Sequence, residues 1–224
     1  MITKRRFLQS SMLAALLPIQ LRLLAEENTM QNRIAEIISE YASQGIHRTG
    51  TDVDNQSADW LMKRIEALGV TATDTAFDFQ RVQPITTQLS IAGATLSGVP
   101  LYDCHYTDES GITGSIGELG SDADIGVSMS FPHVSSPNGR LIHVARQKGQ
   151  HKAIIIVTDS QLPEEGVALL NAEDFTAPFG PPVLQVASKH WAELQAAMKS
   201  GIEATLVLHC EYVEATARNV EAKI

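Results

Sequence analysis

The stretch "KAIIIVTD", residues 152–159, constrains the fold more than any other part of this chain. Ile154, Ile155, Ile156 and Val157 are four β-branched residues in a row, with no polar residue at alternate positions. Side chains of that shape favour the pleated backbone, and a run without alternation predicts a strand covered on both faces. The neighbouring sequence supplies helices to cover it. Upstream, "SSPNG" places Ser136 as an N-cap and Pro137 at the first helical position, and Gly149 ends the pattern. Downstream, "PPVLQVAS" reads as a strand after a Pro-Pro turn. A helix then runs from the cap Ser188 through Trp191, Leu194 and Met198 to Gly201. "ATLVLHCEYV" follows as an alternating strand, with Leu206, Leu208, Cys210 and Tyr212 on one face.

The first half has a different texture. Ile34, Ile37, Ile38 and Tyr41 fall at the spacing of one helical face, with Asn28 and Gln31 placed as a capping-box variant and Gly45 as the stop. A second helix is predicted over 55–68, with Leu61, Ile65 and Leu68 on its stripe, Gly69 at its end and Asp52, Asp54 or Asn55 as its cap. Between 86 and 130, short extended pieces alternate with Gly- and Asp-rich turns, which predicts a β-rich segment. The last eight residues, "ARNVEAKI", alternate with a period of two and carry no turn residue. The expected fold class is mixed α/β: two helices, a β-rich middle, then α/β alternation.

Charge narrows the partners. The chain carries a formal net charge of −9, and its one cluster of basic residues lies at the N-terminus, which argues against nucleic acid and anionic lipid. That cluster, "TKRRFLQ", precedes the apolar run "SSMLAALLPIQL" and has the layout of an export signal over residues 1–25, similar to a twin-arginine signal with Lys4 for the first Arg. The run is too short for a stable membrane span, and Pro18 and Arg22 interrupt it. The expected location is therefore periplasmic or extracellular. An oxidising compartment permits a disulfide between Cys104 and Cys210, but both sit in strand-like apolar contexts where free buried thiols are common.

The segment "GIHRTGTDVDNQSADWLMKRIEALGV", residues 45–70, is a Gly-, Thr- and Asp-rich loop feeding an amphipathic helix. It resembles the opening motif of the co-catalytic zinc aminopeptidases, the family that includes leucyl-type aminopeptidases, the glutamate carboxypeptidase ectodomain and the transferrin receptor. Arg48, Gly50 and Thr51 correspond to that motif's Arg and Gly-Thr, and Ala58, Leu61, Leu68 and Gly69 to its helix. Further on, "HVARQKGQHKAIIIVTDS", "PFGPPVLQVASKHWAELQAAMKSGIEATLVLH" and "ATARNVEAKI" resemble, in order, the protease-associated domain inserted into many of these enzymes.

The resemblance implies four segments: an export signal (1–25), helices and a first strand of a peptidase-like domain (26–84), a protease-associated-like domain (85–215) and a returning strand (216–224). It implies peptide substrates and two zinc ions in an intact family member. The family's metal ligands, beginning with a His-x-Asp, follow the segment that "ARNVEAKI" resembles, so no catalytic or metal residue is expected in this chain. Arg48, Gly50 and Thr51 are expected to border the substrate cleft. The first two helices are expected to be loosely held or to expose Ile34, Ile38, Leu61 and Ile65, because in the family their stripes seat against a sheet this chain lacks. The last strand is expected to need a partner, since an open edge invites pairing. A non-catalytic exported binding module is the alternative.

No local cluster replaces the missing ligands. "YDCHYTDE" offers Asp103, His105, Asp108 and Glu109, but a zinc pair needs about five protein ligands drawn from several strand ends. A solvated loop is the expectation there. His143 and His151 are expected at the surface, and His209 as an ordinary sheet histidine. No G-x-S-x-G is present, and Gly114, Gly117 and Gly120 in "GSIGELG" read as turn glycines.

Overall fold

In the computed structural model, residues 29–130, 136–159, 166–170 and 172–223 are described. The predicted export signal and Asn28 lie outside them. Four helices and eight strands occur among these residues: α1 (29–43), α2 (Asp52–Glu66), α3 (Pro137–Lys148) and α4 (Trp191–Ser200), with β1 (Ala72–Ile91), β2 (Ala94–Ser97), β3 (Val99–Pro100), β4 (Ile112–Glu118), β5 (Ile125–Ser130), β6 (Ala153–Thr158), β7 (Val183–Val186) and β8 (Glu203–Ala222). The fold is the mixed α/β class expected. The chain divides into two compact units, one from Met1–Phe79 with Glu214–Ile224 and the other from Gln80–Val213. The long strands β1 and β8 each contribute to both, and β1 continues through Pro84 without a break.

The second unit is built around β6. All six of its residues are buried, as the unalternating sequence requires. The strand order is β2-β1-β8-β4-β5-β6-β7-β3. The central ladder β4-β5-β6-β7 is parallel, while β4 meets β8, β7 meets β3 and β1 meets β2 in antiparallel fashion. Ile154, Ile155, Ile156, Val183, Leu184, Leu194, Leu206 and Leu208 belong to one continuous apolar core. The predicted face of β8 is buried at Leu206 and Leu208, half-buried at Cys210 and exposed at Tyr212. No disulfide joins Cys104 and Cys210.

Helix boundaries follow their caps. In α3, the Ser136 hydroxyl accepts from the Gly139 amide, Pro137 opens the helix and Gly149 closes it in the left-handed region, all as expected. In α4 the sequence reading is corrected. Ser188 begins a 3-10 turn over Ser188–His190 and makes no capping bond to the α-helix, which starts at Trp191. Gly114 and Gly117 lie within β4 rather than in a turn, which Gly120 alone provides.

Two polar residues expected in solvent are buried, and both corrections have the same cause: a long-range partner. His151 is 3% exposed. Its Nε2 accepts from the Gly120 amide at 2.9 Å and its Nδ1 donates to the Ala123 carbonyl at 2.7 Å, so both ring nitrogens are used by the turn before β5. Asp103 is fully buried, against Arg146 of α3.

In the first unit, by contrast, the helical stripes predicted from periodicity are not covered. Ile34 is 50% exposed and Ile38 61%, and Ile37, Tyr41 and Leu61 are exposed too, while Ile65 is half-buried. This meets the expectation for Ile34, Ile38 and Leu61.

Candidate functional site

Arg48, Gly50 and Thr51 form one tight structure at the start of α2. Thr51 is the N-cap: its hydroxyl accepts from the Asp54 amide at 3.3 Å and donates to the Arg48 carbonyl at 2.7 Å. Asp54 reaches back, its Oδ2 accepting from the Gly50 amide at 2.9 Å. Thr51 and Asp54 therefore close the helix start in a variant of the capping box, in which Asp54 accepts from the amide of Gly50 rather than from that of the N-cap itself, and the cap precedes the expected Asp52, Asp54 and Asn55. Gly50 lies in the left-handed region (φ +73°), and a Cβ there would stand 2.9 Å from Ala215 Cβ and from the Phe79 ring. Replacing Gly50 by alanine is thus expected to destabilise the chain by about 1–3 kcal/mol, combining backbone strain with the clash. A thermal-melting shift smaller than that of a surface control would contradict the placement.

The same unit holds α2 through Arg218. The guanidinium donates to Asp59 and Asp74, each at 2.6 Å, and to the Asn55 carbonyl at 3.4 Å. Asn55 Nδ2 donates to the Thr216 carbonyl at 3.0 Å. Glu40 of α1 accepts from Trp60 Nε1 and pairs with Arg64, so α1 is tied by its C-terminal end. "ARNV" within the last strand thus supplies the anchor for α2, a role no local pattern signals because its partners lie more than 140 residues away.

In the second unit, the most concentrated chemistry is the buried pair Asp103–Arg146. Arg146 Nη2 donates to Asp103 Oδ1 at 2.8 Å, and its side chain is 2% exposed. The same nitrogen donates to the carbonyls of Asp103 (2.9 Å) and Phe179 (3.1 Å). Asp103 Oδ2 accepts from the amides of Glu173 (2.6 Å) and Asp174 (3.3 Å). The Phe179 ring lies 3.9 Å from the guanidinium carbon, a cation–π contact in a desolvated setting. His143 Nδ1 meets Glu173 Oε1 at 2.7 Å, so the carboxylate partner that its sequence neighbourhood lacks arrives from a distant loop. One buried ion pair therefore fastens three segments: the turn after β3, helix α3 and the 172–181 loop.

Two concavities lie in the second unit, the first of them beside this framework. A cleft of about 710 Å³ is lined by His105, Arg146, Gln147, Lys148, Phe179 and the Gly180–Pro181 turn. A groove of about 400 Å³ lies between Glu118 and Ser121 at the end of β4 and Trp191, Gln195 and Met198 of α4. Cys104 is no nucleophile candidate. Burial pushes its thiol up to about 12, outweighing the opposing hydrogen bond from the Val183 amide, so the reactive thiolate is suppressed.

The donor set does not fit a zinc pair. Among the described residues no group of three or more His, Cys, Asp or Glu side chains converges as a metal site. Within "YDCHYTDE", both Asp103 oxygens are taken by Arg146 and two amides, His105 Nδ1 bonds the Gly180 carbonyl at 2.6 Å, and Asp108 Oδ1 is folded onto Ser110 and Gly111. No helix of the described residues is long and apolar enough to cross a membrane.

The architecture has solved counterparts. BSAP, a zinc aminopeptidase from Bacillus subtilis, superposes with a TM-score of 0.60 at 19% identity, over 81% of this chain and 44% of that one. A peptidase M28 precursor from Shewanella amazonensis gives 0.58 at 18% identity, over 83% and 48%. An aminopeptidase from an Aneurinibacillus species gives 0.52 at 18% identity, over 82% and 45%. At such identities the likeness is one of fold, and the chain has an aminopeptidase-like fold while spanning about half the length of those structures. No family model matches the sequence, and no curated protein matches it significantly.

Proposed function

We propose that this chain is the metal-free front part of an exported zinc-aminopeptidase-like protein, in which the first unit opens the peptidase domain and the second is a protease-associated-type insertion. The observation that carries the reading is the uncovered apolar surface of the first unit: Ile34, Ile37, Ile38, Tyr41 and Leu61 lie on helices whose periodicity is that of a buried face. Apolar stripes of that width are the ones globular helices turn toward a core. The fold likeness to proteins about twice as long supports the same reading, because further structure of that kind would cover the stripes.

In this reading the assembled protein hydrolyses peptides from the N-terminal end. Two zinc ions would supply an activated water there, but the residues described here do not hold them, and this chain's part is to bind and enclose substrate. Arg48, Gly50 and Thr51 would border the substrate cleft of that assembled protein. A zinc-supplemented preparation of this chain alone is expected to show no turnover of leucyl or alanyl chromogenic substrates. Turnover that tracks zinc content through purification and vanishes with a chelator would overturn the assignment.

A binding module without catalysis is the second reading, and one observation favours it: the second unit has a complete apolar core of its own, running from Leu89 to Leu208. Cooperative unfolding of the whole chain as a stable monomer, with the first unit as protected as the second, would favour it over the first.

A further inference from the structure

The apolar stripe of α1 carries a finer pattern than simple amphipathicity. Met30, Ile34, Ile37 and Tyr41 stand four, three and four residues apart, the a/d spacing of a coiled-coil seam. All four are exposed, as is Ile38 beside them. Helix α2 meets α1 near its C-terminal end, where Tyr41 lies against Trp60 and Glu40 holds Trp60 and Arg64. Two opposite charges flank the seam on one side, each directly before an a position: Arg33 precedes Ile34, and Glu40 precedes Tyr41. Arg33 is exposed, with no ion pair among the described residues. Glu40 makes its contacts to α2 through Oε2, which leaves Oε1 for a second cation.

From this pattern we infer that the α1 stripe is a self-association surface, and that its occupant is α1 of a second copy of this chain, laid antiparallel. The charges select the orientation. With Ile34 set beside Ile37 of the second copy, Met30 falls beside the second Tyr41, and Arg33 faces the second Glu40. A two-fold axis repeats each contact, so one register gives a continuous apolar seam and two ion pairs. A parallel pairing would instead set Arg33 against Ile38 of the second copy, stranding a charge on an apolar side chain. One pair of helices spanning residues 29–43 offers less than the roughly 1,200 Å² of a standard stable interface, so the dimer is weak and reversible. The inference goes beyond the peptidase reading: that reading holds that the stripe belongs under a cover, and this one says which cover the chain on its own supplies. The competing account is a sticky patch without register, which predicts open-ended aggregation indifferent to the sign of the charge at Arg33.

The test is sedimentation equilibrium of the full chain from about 5 µM to about 1 mM, where the mean mass should rise from one chain toward two and level there. Dilute unfolding measurements then see the monomer. Ile34→Ser, at an exposed side chain, is expected to weaken association at least about tenfold. Arg33→Glu should weaken it at least about fivefold, because both ion pairs become repulsions. Lys148→Glu, an equal change of charge on the second unit, is the control and should leave association within about twofold. Raising the salt from about 0.05 to 0.5 M should strengthen the Arg33→Glu dimer while slightly weakening the unaltered one. A chain still monomeric at about 1 mM, a mass that climbs past two chains, or an Arg33→Glu effect no larger than that of Lys148→Glu would each overturn the inference. Zinc-dependent turnover by this chain would sink the peptidase reading and leave the dimer standing.

Discussion

Replacing Asp103 by alanine is expected to destabilise the chain by about 3–5 kcal/mol, the range seen when one partner of a buried ion pair is removed. The size follows from what is left behind. Arg146 would keep its charge in a site where its side chain is 2% exposed, with two carbonyls and the Phe179 ring but no counter-charge to answer it. The amides of Glu173 and Asp174 would lose their acceptor as well. Against a total stability of about 5–15 kcal/mol for an ordinary domain, that is a large share. Urea unfolding of the full chain measures it. A cost below about 1 kcal/mol would mean that the pair is not desolvated as described.

The paired replacement Asp103→Leu with Arg146→Met separates charge from packing. Removing both charges abolishes both desolvation penalties, so the double variant should recover most of the single loss. Recovery should be incomplete, because the two loop amides would still lack a partner. If the double variant is no better than Asp103→Ala, the weakness lies in the loop contacts rather than in the stranded guanidinium.

The second large effect is a division of stability along the chain. Ile155→Ala, in the fully buried β6, is expected to cost about 2–5 kcal/mol. Ile38→Ser, at a residue 61% exposed, should change stability by less than about 0.5 kcal/mol even though both sites are isoleucines in strong apolar patterns. Hydrogen exchange should show the same contrast, with α1 amides exchanging through local opening and the β5–β6–β7 ladder only through global unfolding. A loss at Ile38 comparable to that at Ile155 would show that the α1 stripe is already packed, and the proposal of a missing cover would fall with it.

These contrasts mark what local sequence can encode. Ile154 to Val157 announced a strand buried on both faces because four adjacent β-branched side chains leave no solvent face, whatever surrounds them. Ser136, Pro137 and Gly149 announced the ends of α3 because capping is decided within a few residues. Periodicity likewise placed α1 and α2, and the motif around Arg48, Gly50 and Thr51 marked a helix start correctly. The expected caps Asp52, Asp54 and Asn55 all fall after the actual one, since these three and Thr51 are all competent acceptors and only backbone geometry selects among them.

What the sequence alone determined, then, is the set of elements, their order and the mixed α/β class, all governed by interactions spanning a few residues. Only the tertiary structure decided the fates of Asp103, His143, His151 and Arg218, whose partners stand between 28 and 163 residues away. The tertiary structure also decided that the α1 stripe meets no core, although its spacing matches that of a buried helix. The reason is physical: a side chain's hydrophobicity and charge are local properties, but its burial and its hydrogen-bond partner are set by whichever distant segment the fold brings beside it.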